Sequence, residues 1–315
     1  MSHRFSYVIG GLVAIAFVSL ARAPVAGQAA TPKPSTRTWT VPRTPDGQPD
    51  LRGMWVNFDG TPFETPAAVA AAPVATAGVN PPSHWADHDS PTSARRQSMV
   101  VEPADGRVPV KPWAEARRDY DLAHLADAPE HETPWVRCIT RGVPGGMFPA
   151  GYNNAYEIIQ SPGYVVIRAE MIHEARFIPL DRPHVSSRIR QWTGDSVGHW
   201  EGDTLVVDTT NFNDKGSIAT SAATGRIRGI PQSEALHVVE RFTRVGPDSI
   251  NYAVTIDDQN VYTKPWKVEL PLNRDEKYQM FEYTCHEGNY AMSNGLSGGR
   301  AKDKAEADAA RHPQP

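Results

Sequence analysis

The chain has 315 residues, a net charge of −4, a hydrophobic fraction of 40% and a charged fraction of 22%. That composition supports a packed core and excludes wholesale disorder and a polytopic membrane protein. The acidic balance also argues against a binder of nucleic-acid backbones, so no nucleic-acid partner is expected. Proline is in excess at 28 residues, and 19 of them lie in residues 1–150.

In chain order, His3 and Arg4 precede an apolar run from Tyr7 to Ala21, followed by Ala26-Gly27-Gln28-Ala29-Ala30. A basic start, a short apolar core and small residues make the pattern of a secretory signal, which predicts a signal peptide over residues 1–30. The run is shorter than the ~20 residues a membrane span needs. An uncleaved anchor is the alternative. Cleavage removes Arg4 and Arg22 and no acidic residue, which takes the mature net charge to −6. The mature protein is expected in a periplasm or outside the cell, with no membrane partner after cleavage.

Residues 31–134 read as a Pro/Ala-rich extended arm with one short helix over Trp113–Leu125. Within the arm, Pro45-Asp46-Gly47-Gln48-Pro49-Asp50-Leu51-Arg52-Gly53-Met54-Trp55 is rich in turn residues. Trp55 and Phe58 are expected to dock on the main domain. From residue 135 to 297 the texture is β-rich. The predicted strands are Ala155–Gln160, Tyr164–Glu170, Ala175–Pro179, Ile189–Trp192, Val197–Trp200, Thr204–Thr210, Ala235–Thr243, Ser249–Ile256, Trp266–Leu270 and Gln279–Thr284. Short turns separate them and no helices intervene, which is the mark of an antiparallel sheet. The expected fold is all-β: an antiparallel, lipocalin-like (calycin-type) barrel carrying the long N-terminal arm, because closure removes exposed edges. A β-sandwich is the alternative. The stretch 298–315 reads as a flexible tail.

Cys138 and Cys285 are the two cysteines, and an even count in an oxidising compartment predicts one disulfide. The rival reading is a Cys-His nucleophile built on Cys285 and His286. No metal is expected: His286 and Glu287 form a lone pair without a second pair at ligand spacing. No cofactor is expected either, since Gly142-Val143-Pro144-Gly145-Gly146 lacks the Lys-Ser/Thr of a phosphate loop.

Period-2 spacing around His173 puts Val165, Ile167, Ala169, Met171, His173, Ala175 and Phe177 on one face. Arg168, Glu170, Glu174 and Arg176 fall on the other. His173 is thereby a lone titratable group on an apolar stripe, and Glu240 is a lone carboxylate between Val238 and Phe242. Such groups shift each other's pKa and exchange protons when they meet in a cavity. His173 is the expected acid–base residue, with Glu240 or Asp208 orienting it and Arg141 binding a substrate oxygen. Arg168, Glu170, Trp192 and Trp200 are candidate ligand-binding residues. The bland alternatives are core hydrogen bonds and solvated faces. Gly194-Asp195-Ser196-Val197-Gly198 matches the G-x-S-x-G nucleophile elbow, but a hairpin follows where an elbow needs a helix.

Several segments together resemble a large family of exported bacterial proteins. They are the Pro45–Trp55 segment, Arg141-Gly142-Val143-Pro144, His173-Glu174-Ala175-Arg176, Gly194 through Trp200-Glu201-Gly202-Asp203-Thr204-Leu205-Val206-Val207-Asp208-Thr209-Thr210-Asn211-Phe212, and Cys285-His286-Glu287-Gly288-Asn289-Tyr290-Ala291-Met292. The resemblance implies export and supplies no activity.

The leading functional expectation is an exported small-molecule-binding barrel for an apolar or aromatic ligand, with lyase, hydratase or isomerase chemistry as an extension. The alternatives are a secreted serine hydrolase using Ser196, His199 and Asp203, and a non-catalytic envelope interaction module using Trp55, Trp135 and the arm.

Overall fold

The computed structural model describes residues 39–57, 60–66 and 96–312. The expected signal peptide and Phe58 lie outside them. Nine strands form one continuous barrel wall: β1 (Gly53–Val56), β3 (Ala155–Ser161), β4 (Tyr164–Ala169), β5 (Ala175–Pro179), β6 (Asp195–Glu201), β7 (Thr204–Thr210), β8 (His237–Gly246), β9 (Ser249–Asp257) and β10 (Trp266–Arg274). A short β2 (Val100–Glu102) adds to β10. Each strand is hydrogen-bonded antiparallel to its neighbour, with β1 bridging β10 and β3. The expected barrel is therefore present, and the sandwich is not.

An odd number of strands cannot close with antiparallel pairs alone. One pair must run parallel, and here it is β5 with β6. These two are joined by a single parallel bridge, Leu180 to Gly198, with Asp181 N donating to Gly198 O at 2.9 Å. The seam demands a glycine: a Cβ on Gly198 would stand 2.8 Å from Leu180 Cδ2 and 3.0 Å from Ile178 Cγ2. Gly194 sits at φ +69°, and a Cβ there would meet Thr210 O at 2.5 Å. Both glycines of the G-x-S-x-G match thus serve the backbone.

Inward side chains follow the two-residue period: Val165 and Ile167, Leu205 and Val207, Val238 and Phe242, Ile250, Tyr252, Val254 and Ile256, Val268, Leu270 and Leu272 are all buried. Each such side chain contributes about 1.5–3 kcal/mol relative to exposure. The stretch read as an extended arm supplies β1, β2 and the helix α1 (Pro112–Ala123). Trp55 is fully buried on β1, its Nε1 donating to Leu51 O at 2.8 Å. The Arg244 and Arg274 guanidiniums stand 5.6 and 5.5 Å from its ring centroid, so this tryptophan is an anchor and not a surface for a partner.

The strand directions sort the connections. Ser161–Tyr164, Glu201–Thr204 and Gly246–Ser249 are tight turns at one end. The long connections, including 103–154, 211–236 and 258–265, gather at the other.

Two predicted strands are corrected. Residues 189–192 make only an isolated bridge, Gln191 to Phe212, and residues 279–284 form no strand. The tail is corrected too: Ala291–Arg311 form an exposed helix, α2. Cys138 and Cys285 form the expected disulfide, with Cα atoms 5.6 Å apart, which removes the Cys-His nucleophile.

Candidate functional site

His173 is not on a strand. A turn at Met171–His173, with Ile172 at φ +63° and His173 at φ +45°, interrupts the run read as one strand. Its ring is exposed, and Nδ1 lies 2.7 Å from Tyr283 O. Among the described residues no hydrogen bond joins it to a carboxylate. The expected pairing of His173 with Glu240 or Asp208 is corrected accordingly.

The turn also changes which residues face inward on β5. Ile167 pairs with Arg176, so Arg176 enters the barrel, while Phe177 points out and is 67% exposed. Arg176 Nε donates to Ser196 Oγ at 2.9 Å and Nη2 to Thr209 Oγ1 at 3.0 Å. Nη2 also pairs with Glu240, whose other oxygen accepts from Tyr252 OH at 2.9 Å. Five consecutive strands, β5 to β9, thus each give one polar side chain to a buried row. Burial opposes the charge on Arg176, but Glu240 outweighs it and holds the guanidinium pKa above its usual value. Glu240 is fully buried, as its place on an apolar stripe predicted, and its partner is an arginine. Ser196 belongs to this row, while His199 points outward to Glu201 and Asp203 pairs with Arg43. The three residues of the serine-hydrolase expectation do not meet.

Arg141 is buried beside this row. Its Nη2 donates to Phe148 O at 2.9 Å, while Nε and Nη1 make no hydrogen bond among the described residues. Burial lowers the Arg141 pKa against the pull of Tyr156 and Glu174. Burial raises Glu174, against the Thr140 hydroxyl, whose one hydrogen faces both carboxylate oxygens, with Oγ1 at 2.9 and 2.7 Å from them. The cavity between Tyr156, Ile167, Glu174 and Arg176 measures about 30 Å³. That is room for a water or two, well short of the 300–1,000 Å³ typical of ligand pockets.

The remaining candidates scatter. Asp208 lies on the outer face of β7 between two imidazoles, His184 Nε2 at 3.0 Å and His237 Nε2 at 2.8 Å. Arg168 is exposed and paired with Glu157 at 2.7 Å. Glu170 is buried, accepting from Tyr278 OH at 2.5 Å and Phe281 N at 3.1 Å. Trp200 packs against the core. Trp135 lines an open hollow beside the disulfide.

Trp192 has a different setting. It lines a cleft of about 690 Å³ at the barrel end that carries the long connections. One wall is α1, which starts at Pro112, where a missing N–H costs nothing. Trp113 on this helix donates Nε1 to Asn260 O at 2.9 Å. Arg226 fastens the helix from behind, pairing with Glu115 and, at 2.8 Å, with Glu64. The other walls are the stretches 130–134, 214–217 and 231–233. Arg118, Thr133, Ser217 and Gln232 are its buried polar lining residues. Burial raises the Glu132 carboxyl, with Arg228 offsetting part of the effect. His131 Nδ1 stands 2.7 Å from His124 O, a pure acceptor, so Nδ1 carries the hydrogen. His131 Nε2 is left toward Asp121 Oδ1 at 3.9 Å. Sequence reading picked out Trp192 alone from this cleft. The other lining residues come from irregular segments with no periodic signal.

No family model matches the chain, and no curated protein matches it. A crystal structure of a mutant of the fluorescent protein UnaG is similar at 14% identity and a TM-score of 0.22, over 45% of this chain and 85% of its own. The barrel is established by its own strand pairing. No helix among the described residues is long and apolar enough to cross a membrane, and no group of three or more His, Cys, Asp or Glu among them is placed to hold a metal ion.

Proposed function

We propose that this chain is an exported protein that binds a small molecule in the cleft at the open-looped end of its barrel. The observation that carries the reading is the cleft itself: about 690 Å³, walled by two tryptophans and set on a rigid barrel. Its volume falls within the range of small-molecule sites, whereas the interior cavity beside Arg176 measures about 30 Å³. Export is supported by the Tyr7–Ala21 run and the small residues after it, by the resemblance to exported proteins, and by a disulfide suited to an oxidising compartment. A thermal-shift screen of small molecules on the purified protein tests the binding site. Stabilising compounds should lose their effect in Trp192→Ala and Trp113→Ala; shifts that persist in both variants overturn the reading. N-terminal sequencing of the cell-exported protein tests the signal, and an intact Met1 overturns cleavage.

Acid–base chemistry on the same ligand is a second reading, favoured by His131. Its tautomer is fixed by the His124 carbonyl, its Nε2 is uncommitted, and a carboxylate stands beside it. Turnover of a bound compound that is lost in His131→Gln, with binding retained, is the expected result.

A further inference from the structure

The cleft offers donors at its base and flat apolar surface on its walls. We propose that its ligand is an aromatic small molecule bearing a carboxylate or comparable anion, the acid group seated against Arg118 and the ring against Trp113 and Trp192. This rests on the cleft being the binding site.

Arg118 is 8% exposed and lines the cleft from α1. Among the described residues it has one ion pair, Nε to Asp119 at 2.6 Å, and the Asp119 side chain is 68% exposed. A carboxylate that exposed is solvated and screened, and it neutralises a buried guanidinium weakly. Among the described residues no hydrogen bond occupies the two terminal nitrogens of Arg118, which form the fork that a planar acid group matches. Thr133 and Ser217 line the same cleft, and among the described residues neither buried hydroxyl oxygen has a hydrogen-bond partner. An unpaired buried hydroxyl is destabilising, and an acceptor arriving within reach of a side-chain rotation removes that cost. Glu132 also lines the cleft, and the nearby Arg228 guanidinium offsets part of its charge. Nearer solvent the lining carries both signs, Lys215 beside Asp214 and Arg137 with Glu130, so the rim does not select a charge. Trp113 is 49% exposed yet tethered through its indole N–H. A ring held in place loses little freedom when a second ring stacks on it.

Calorimetric titration with three matched probes tests the inference: 2-naphthoate, 2-naphthylmethanol and 2-naphthylmethylammonium. Naphthoate should bind about tenfold tighter than either, the scale of one charge-assisted hydrogen bond. Its advantage should shrink as salt rises. Arg118→Gln should remove the preference and leave the alcohol's affinity in place, while Arg118→Lys should retain part of it. If Arg118→Gln fails to fold, the wild-type ranking and its salt dependence still decide. Equal binding of all three, lost in Trp192→Ala, overturns the anion inference and leaves the cleft reading standing. Binding by none of them overturns both.

Discussion

Asp208 shows what one carboxylate does between two imidazoles. His237 is held above its ordinary value of 6.5, first by its hydrogen bond to Asp208, with burial opposing and the Asp208 and Asp257 charges assisting. Burial pushes the Asp208 carboxyl up, but His237 and then His184 outweigh it and hold it below its ordinary 3.8. His184 extends the chain, its Nδ1 standing 2.9 Å from Asp195, which also pairs with Arg182 at 2.9 Å. The signs follow by linkage. A raised histidine stabilises fully below its unfolded pKa and loses that contribution as pH rises through the folded one. A lowered aspartate stabilises above its unfolded pKa and loses its contribution as pH falls through the folded one. The pair therefore contributes most between the ordinary values of 3.8 and 6.5, and fades as pH falls below the first or rises above the second. Both groups are substantially exposed, so the effect is screened. In denaturant titrations the stability gap between wild type and His237→Asn should be widest near about pH 5 and narrow by about pH 8. A gap that is flat across that range excludes the linkage. The sequence marked Asp208 as a residue able to orient a histidine. It could not name His184, which comes from an irregular crossing with no period to read.

At the scale of elements, eight of the ten predicted strands are real because alternation survives wherever one face meets the core. The misses have local causes. β1 and β2 span 4 and 3 residues, too short for alternation to register. Residues 189–192 and 279–284 have strand composition but run outside the barrel wall, where composition alone does not confer pairing. Helix α2 forms in a segment whose Ala, Lys, Arg and Glu favour helix despite its glycines. The costliest miss was the Met171–His173 turn. Extending one period through it put His173 on the core face and Arg176 outside, the reverse of what the pairing of Ile167 with Arg176 imposes. The glycines of the hairpin are informative for a steric reason. Gly198→Ala places a methyl against Leu180 and Ile178 at the parallel seam, and overpacking of that kind costs about 1–3 kcal/mol. Gly246→Ala is the control, since a Cβ there meets nothing within 4 Å. Equal unfolding midpoints for the two variants would show that the seam tolerates the extra carbon.

At the scale of the whole molecule, the Cys138–Cys285 link encloses β3 through β10, nearly the entire barrel, in a loop of sequence separation 147. A cross-link that spans most of a fold acts chiefly on the unfolded chain, whose freedom it restricts. The native segment it ends on has other moorings: Glu170 holds Tyr278 and Phe281, and the Tyr283 carbonyl meets His173. Removing the link should therefore leave the native barrel in place and lower its stability. The double variant Cys138→Ala, Cys285→Ala should keep the wild-type far-ultraviolet dichroism and lose up to about 4–5 kcal/mol in denaturant titrations. Hydrogen exchange separates this from a local role. If the link acts on the unfolded chain, protection should fall by a similar factor in the slowest amides of β7, β8 and β9, which exchange through global unfolding. Loss of protection confined to residues 276–290, with an unchanged midpoint, would mean that the disulfide only fastens the returning segment.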